Sequence, residues 1–383
     1  MQKIPLAIPF VGREEVKALA TVIQSRWLSQ GLQVQKFEEL FARTVGARYA
    51  VAVSSCTTAL HLALIVAGIK KGDQVLCPSL CFIATANVIC HVGAEPVFGD
   101  VDPQTYNLSP GHAEALLKRN RKIKAIIVVD QCGLPADWNA FLRLAKKYRV
   151  KIIHDAACAA GSEYKLNGKW RKIGSFTDLA CFSFHGRKII TTGEGGMITT
   201  SSPKIADRLK RLRHHGMSIS DLERHKSRKI IFEKYPEVGF NYRMSDLQAA
   251  VGVTQIKKLS QIVAKRIRIA KSYTRAFNRN PNLIPPFVPS NTKTNFQTYL
   301  LGIKKSAKVS QNILMEKLMK RGIATRRGIM AIHHEACYRN KQARLPVTDQ
   351  VSQHTIVIPL YPAMTAQDVR YVIKNITELV GKS

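Results

Sequence analysis

Lys188 closes the segment Phe182-Ser183-Phe184-His185-Gly186-Arg187-Lys188, which leaves an apolar run and continues into Thr191-Thr192-Gly193-Glu194-Gly195-Gly196-Met197. A glycine-rich turn beside a lysine lets backbone approach a bound group closely. Alone, the amine reads equally as one solvated cation among 59 basic residues. Asp155 ends Lys151-Ile152-Ile153-His154-Asp155 and precedes Ala156-Ala157. A buried acid there needs a cationic partner; the plainer alternative is a helix N-cap. Ser54-Ser55-Cys56-Thr57-Thr58 closes one strand and opens a helix. Its N–H groups and hydroxyls suit a phosphate dianion, or simply cap the helix. Phe82, in Pro78-Ser79-Leu80-Cys81-Phe82, lies just past another strand, as a platform for a planar ring or as a core residue.

These residue types match the needs of pyridoxal phosphate (PLP) chemistry. A lysine amine holds the cofactor and moves protons. A carboxylate keeps the pyridine nitrogen protonated, so that the ring withdraws electrons. Hydroxyl and backbone N–H groups hold the phosphate, and an aromatic face covers the ring. Every candidate stands at a strand end or in a loop, where open α/β sheets bind ligands.

The elements that must place them alternate short apolar runs with longer amphipathic ones. Strands are expected at 49–53, 74–77, 95–98, 125–129, 150–154 and 179–183, and helices at 58–66, 84–92 and 138–148. Ala125 to Val129 is continuous and mostly β-branched, as in a strand buried on both faces. The alternation predicts a three-layer α/β/α domain around a mostly parallel sheet. After Ser245 the texture changes. One or two long helices cover 246–278, and Pro281, Pro285, Pro286 and Pro289 punctuate a loop. Strands at 298–303 and 356–358 and helices at 309–321 and 365–379 then make a shorter α+β unit. A boundary near residue 260 divides a large domain, 1–260, from a small C-terminal α+β domain, 261–383.

The chain of 383 residues is long enough for two cores. A hydrophobic share of 45% and a charged share of 22% suit a soluble globular protein. No apolar run reaches the length of a membrane helix, and Met1-Gln2-Lys3-Ile4-Pro5 lacks a signal-peptide core. The eight cysteines are scattered without a Cys-x-x-Cys, and are expected to be reduced, mostly buried thiols of a cytoplasmic protein. Cys77 and Cys81 have the spacing of a metal pair but no second pair follows, so no metal is assigned. Lys plus Arg is 59 against 26 for Asp plus Glu, a net charge of +33. Such a field attracts nucleic acid, anionic membrane or phosphorylated small molecules. The cations fall in the runs 118–124, 143–149, 204–213, 224–229 and 257–275, mostly at helical spacing. They read as solvated helix faces, and no nucleic-acid recognition motif accompanies them.

The blocks also occur in a telling order. The chain resembles the DegT/DnrJ/StrS family of PLP-dependent sugar aminotransferases of fold type I, over nearly its whole length. Trp27-Leu28-Ser29-Gln30-Gly31, Ser55-Cys56-Thr57-Thr58-Ala59-Leu60-His61, Asp155-Ala156-Ala157 and Leu360-Tyr361-Pro362 carry the resemblance. Its sharpest blocks are Ser183 to Lys188 with Thr192 to Met197, and Gly239-Phe240-Asn241-Tyr242-Arg243-Met244-Ser245. The resemblance implies that Lys188 carries the cofactor as a Schiff base and that Asp155 pairs with the pyridinium. It implies that Phe82 stacks on the ring and that Thr57, Thr58 and Ser183 bind the phosphate. Asn241 is implied to reach the cofactor phosphate of a neighbouring subunit, so a homodimer with shared sites is expected. Trp27, His185, Arg187 and Tyr242 are expected to border the substrate. The implied reaction moves an amino group from L-glutamate or L-glutamine to a keto sugar linked to a nucleoside diphosphate, to make an amino sugar for surface polysaccharide.

Four positions depart from the family pattern. Cys56 replaces the usual glycine, and is strained if that turn needs positive φ. Cys158 replaces a histidine or glutamine beside the cofactor, Asp130-Gln131-Cys132-Gly133 replaces a histidine-containing strand end, and Arg187 replaces threonine. Arg187 either touches a substrate phosphate or is solvated. Three other readings stay open. Lysine at 188 argues against a sugar dehydratase, whose Schiff-base position holds histidine. Amination of a cyclic, non-nucleotide ketone is separated poorly by sequence. A non-catalytic, nucleic-acid-binding relative predicts steep salt dependence and no turnover.

Overall fold

A computed structural model describes residues 3–219, 224, 230, 232–339 and 343–381. The chain begins with α1 (Arg13–Ser25), α2 (Leu32–Val45), β1 (Tyr49–Val53), α3 (Cys56–Val66), β2 (Gln74–Pro78), α4 (Ala84–His91) and β3 (Glu95–Gly99). It continues through α5 (Pro110–Arg119), β4 (Ile123–Val129), α6 (Trp138–Tyr148), β5 (Lys151–Asp155) and a hairpin of β6 (Glu163–Leu166) and β7 (Lys169–Lys172). After β8 (Ala180–Ser183), β9 (Gly196–Thr200) and α7 (Pro203–Leu212) comes the long α8 (Asp246–Phe277). The last part holds β10 (Leu283–Ile284), β11 (Thr292–Lys293), β12 (Tyr299–Ile303), α9 (Gln311–Lys320), β13 (Arg326–Arg327), α10 (Pro346–His354), β14 (Thr355–Ile358) and α11 (Ala366–Val380).

Seven strands form the main sheet in the order β1-β9-β8-β5-β4-β2-β3. Only β9 runs against its neighbours in it, pairing antiparallel with β1 and β8. Side chains alternate across β4: Ile126 and Val128 enter one apolar core, while Ala125, Ile127 and Val129 enter the other. A strand covered on both faces therefore has to be apolar throughout. The α/β/α layering expected from the alternation is what the chain adopts. α6 shows the local logic. Asp137 accepts a hydrogen bond from the Ala140 N–H at 3.1 Å and starts the helix, and Trp138, Phe141 and Leu144 bury its inner face.

The third core belongs to a four-stranded sheet, β10-β12-β14-β13, packed with α9 and α11. α8 is one helix of 32 residues, started by a Ser245–Gln248 capping box. It crosses residue 260 unbroken. Ala249 through Ile262 bury against the main sheet's core, and Ile269 through Phe277 against the small sheet's core.

The basic runs lie mostly on helices, with Arg143, Lys146 and Lys147 exposed on α6 and Lys257, Arg268 and Lys271 exposed on α8. Arg213 and Arg266 are buried exceptions. Of the run 224–229, all but Arg224 lies outside the described residues. Among the described residues no helix is long and apolar enough to cross a membrane.

Candidate active site

The carboxyl ends of β1, β2, β4, β5 and β8 open into one cavity of about 480 Å³. Its opposite wall comes from the small sheet: Arg326, Gly328, Val357 and Ile358. Strand ends bring together side chains that lie far apart in sequence, because parallel strands all finish on one edge.

Lys188 hangs from the connection between β8 and β9. That connection is closed by hydrogen bonds from the Phe184 N–H to the Gly195 carbonyl and from the Thr192 N–H to the Phe184 carbonyl, at 2.8 and 2.9 Å. The Lys188 Nζ donates to Cys158 Sγ at 3.1 Å. Burial lowers the affinity of this amine for its proton; the Cys158 and Cys56 sulfurs and the Asp155 carboxylate raise it, and the net direction is upward. Asp155 is buried at the end of β5. It accepts from Thr85 Oγ1 at 2.9 Å and from the Ala157 N–H at 3.2 Å. Burial outweighs these bonds and holds its carboxyl above the ordinary aspartate range. A carboxylate so placed is stabilised by a cationic partner.

Phe82 lines the cavity with 63% of its surface exposed, an uncovered aromatic face at the site. Thr57 and Ser183 also line it. Thr58 does not: its hydroxyl accepts from the Ser55 N–H and donates to the Ser55 carbonyl, at 3.1 and 2.8 Å, closing the capping box of α3. Cys56 opens α3 as a helical residue and is absent from the positive-φ positions. The strain that a positive-φ turn would impose does not arise, because Cys56 lies in the first turn of the helix; a close backbone approach is made instead at Gly196. A Cβ there stands 2.3 Å from the Ser55 carbonyl oxygen and 2.7 Å from the Cys56 nitrogen. Gly196→Ala is accordingly expected to push the 55–57 turn out of place. Weakened PLP retention in equilibrium dialysis checks this, and unchanged retention contradicts it.

His185 and Arg187 line the cavity mouth, whereas Trp27, Asn241 and Tyr242 do not line this cavity. Trp27 Nε1 donates to the Gln30 carbonyl at 3.1 Å, and the Tyr242 hydroxyl pairs with His61 Nδ1 at 3.1 Å. Asn241 is exposed, bridged to His214 in the approach to α8. Asp130 is turned inward and accepts from Trp138 Nε1 at 3.1 Å while contacting His154 Nε2 at 2.7 Å, so Gln131 and Cys132 are the members of their block that reach the cavity.

All eight cysteines are free. Cys77, Cys81 and Cys181 are buried, Cys90 and Cys337 are exposed, and Cys56, Cys132 and Cys158 are half-buried. The expectation of mostly buried thiols is corrected: three are buried, while Cys90 and Cys337 reach the surface and Cys56, Cys132 and Cys158 are partly opened by the cavity they line.

A family model described as the DegT/DnrJ/EryC1/StrS aminotransferase family matches residues 9–377. The chain belongs to this family. It is 37% identical to the spore coat polysaccharide biosynthesis protein SpsC of Bacillus subtilis, over 98% of this chain and 97% of the relative. Helicobacter pylori PseC, an aminotransferase involved in the biosynthesis of pseudoaminic acid, is 27% identical, covers 99% of both chains and superposes with a TM-score of 0.90. Streptococcus pneumoniae Spr1654, solved in a PLP-form, is 23% identical over 99% of both chains and shares the fold with a TM-score of 0.91. The fold is that of fold-type I PLP-dependent transferases, and the protein is an aminotransferase of the sugar aminotransferase family.

Several cavity residues carried no signal in the sequence. Arg326 was one cation among many until β13 placed it at the cavity. Its guanidinium pKa is lowered by burial, then by the neighbouring Arg187 and Arg327. Gln297 donates to the Arg187 carbonyl at 2.9 Å and comes from a loop held by Arg266 of α8. Thr85, three residues past Phe82, offered a weak cue: a hydroxyl at the start of a helix that faces a strand-end acid.

Proposed function

We propose that this aminotransferase uses PLP and moves an amino group from L-glutamate or L-glutamine to a keto sugar carried on a nucleoside diphosphate. The observation that carries the reading is one cavity holding the Lys188 amine, the buried Asp155 carboxylate and the bare Phe82 ring. The residues fit the cofactor. Asp155 has the burial of an acid made for a pyridinium, and Phe82 offers its face to the ring. The N-terminus of α3, with Thr57 and Ser183, suits the phosphate; the Thr58 hydroxyl holds the turn that presents them. Bound PLP supplies an electron sink for the amino group's carbon.

The chain's own residues supply the rest. Lys188 Nζ would hold the cofactor and, once freed, would move the proton to and from the amino group's carbon within each half-reaction. Asp155 keeps the ring nitrogen charged, and Thr85 orients that carboxylate. Arg187 and Arg326, close enough to repel one another, form a cationic mouth for an anionic acceptor or donor carboxylate. Asn241, outside its own chain's cavity, is assigned to the site of a neighbouring subunit in a homodimer. Trp27 and Tyr242, likewise outside it, border the substrate only through such a neighbour. Free thiols suit a reducing cytoplasm.

An acceptor panel with glutamate and glutamine as donors tests the reading. Amination of a nucleotide keto sugar is expected, with Arg326→Ala raising KM for that acceptor by roughly tenfold, as for a lost hydrogen bond to a charged group. Turnover only with a cyclic, non-nucleotide ketone, or an unchanged KM, contradicts it.

A further inference from the structure

Among the described residues, one group of three side chains has its metal-ligating atoms within 4.8 Å of one another: His333, His334 and Asp349. Asp349 Oδ1 stands 3.1 Å from His333 Nε2 and 2.6 Å from His334 Nε2. None of the three lines the catalytic cavity. We propose that His333, His334 and Asp349 bind a divalent transition-metal ion of the zinc class, outside the catalytic site. Two imidazole nitrogens and one carboxylate oxygen are a ligand set zinc accepts, with a fourth position left to water.

The ligands are held as such ligands need to be. His333 Nδ1 lies 2.7 Å from Ser79 Oγ, and the backbone N–H of His333 donates to the same oxygen at 3.1 Å. With the proton on Nδ1, donated to Ser79, Nε2 is left free for a metal; such a second contact is the usual companion of a ligating histidine. His333 is buried, which fixes its ring in place. Asp349 lies in the first turn of α10, and that turn is fixed from behind by Asp100. Both carboxylate oxygens of Asp100 are used: one accepts from the Val347 N–H at 3.1 Å, the other from the Thr348 N–H at 2.8 Å and the Thr348 hydroxyl at 2.7 Å. Its negative charge also favours a cation nearby. Tetrahedral bonds to zinc put ligand atoms about 3.3 Å apart. His333 and Asp349 already meet that spacing. His334, with 56% of its side chain exposed, has the freedom to adjust.

An ion here ties three stretches of chain together: the end of β2 through Ser79, the 332–334 turn and α10. Ser79 stands three residues before Phe82, so the ion braces the wall of the catalytic cavity without entering it.

The test is metal content of the holoenzyme after chelator treatment, incubation with Zn²⁺ and desalting. One zinc per chain is expected, together with a higher thermal midpoint in zinc than in chelator. Asp349→Ala and His334→Gln are expected to lose the ion and the shift. His334 is exposed, so its variant keeps its fold, checked by PLP content and circular dichroism. Cobalt(II) substitution is expected to give visible bands in the wild type that His334→Gln abolishes. Zinc at trace level in the wild type overturns the proposal. So does full zinc content in both variants, which places the ion elsewhere, for example on the cavity thiols.

Discussion

Replacing Lys188 by alanine is expected to lower transamination by on the order of 10⁴-fold, the upper range for removing a positioned general base. The effect is large because the cavity offers no substitute. Among the described residues lining it, Lys188 is the only lysine. His185 also lines the cavity, but its Nε2 is engaged 3.7 Å from Glu194 Oε1, and an imidazole cannot replace the amine that holds the cofactor. Cys158, the partner of the amine, keeps its place without it, since Asn295 Nδ2 donates to the Cys158 carbonyl at 2.8 Å. The variant is therefore expected to fold and to hold PLP without the covalent bond. Steady-state rates, with PLP content measured after desalting, check this; a variant that retains a tenth of the activity contradicts it.

Asp155→Ala is expected to cost about 10²-fold or more in turnover. Removing a preorganised group that stabilises charge in the transition state costs about 3 kcal/mol of barrier, and each 1.36 kcal/mol is about tenfold in rate. A second consequence concerns the cofactor-free chain. Burial raises the folded-state pKa of Asp155 above its unfolded value. The folded chain then holds that proton more tightly, so the contribution to stability is present below the ordinary aspartate range and is lost as pH rises through the raised value. In Asp155→Asn that loss disappears. Urea unfolding of the cofactor-free proteins across this window is expected to show a flatter decline for the variant. Parallel pH profiles contradict a carboxylate whose burial outweighs its hydrogen bonds, while equal turnover contradicts its role at the ring.

The strands that carry the site were legible because each is a short apolar run ending at a polar residue. The 125–129 run, apolar on both faces, marked a strand covered by both layers, and the ends of β5 and β8 delivered Asp155 and Lys188 to the same cavity. β9 was hidden. Gly196-Met197-Ile198-Thr199-Thr200 begins in what reads as a glycine turn, and its antiparallel pairing with β1 and β8 depends on partners far away in sequence. The glycine at 196 exists for the approach of the Ser55 carbonyl, which only the folded chain reveals. α1 gave little signal because it buries only Glu15 and Val22, whereas α2 carries a readable helical stripe in Val34, Phe37, Phe41 and Val45. Arg326 and Gln297 could not be singled out. Neither has a motif, and both reach the cavity through the packing of the small sheet against the large one. Whether cysteine at 56 is strained depended on the φ of its turn, which sequence does not reveal and which is helical.

The most direct test of the account is the visible absorption spectrum of the purified protein with PLP, before and after L-glutamate. A yellow band that bleaches with glutamate, and that Lys188→Ala lacks, is the predicted result. A protein that develops no such band with PLP, or a Lys188→Ala variant with the same band, contradicts the assignment of this cavity and of its lysine.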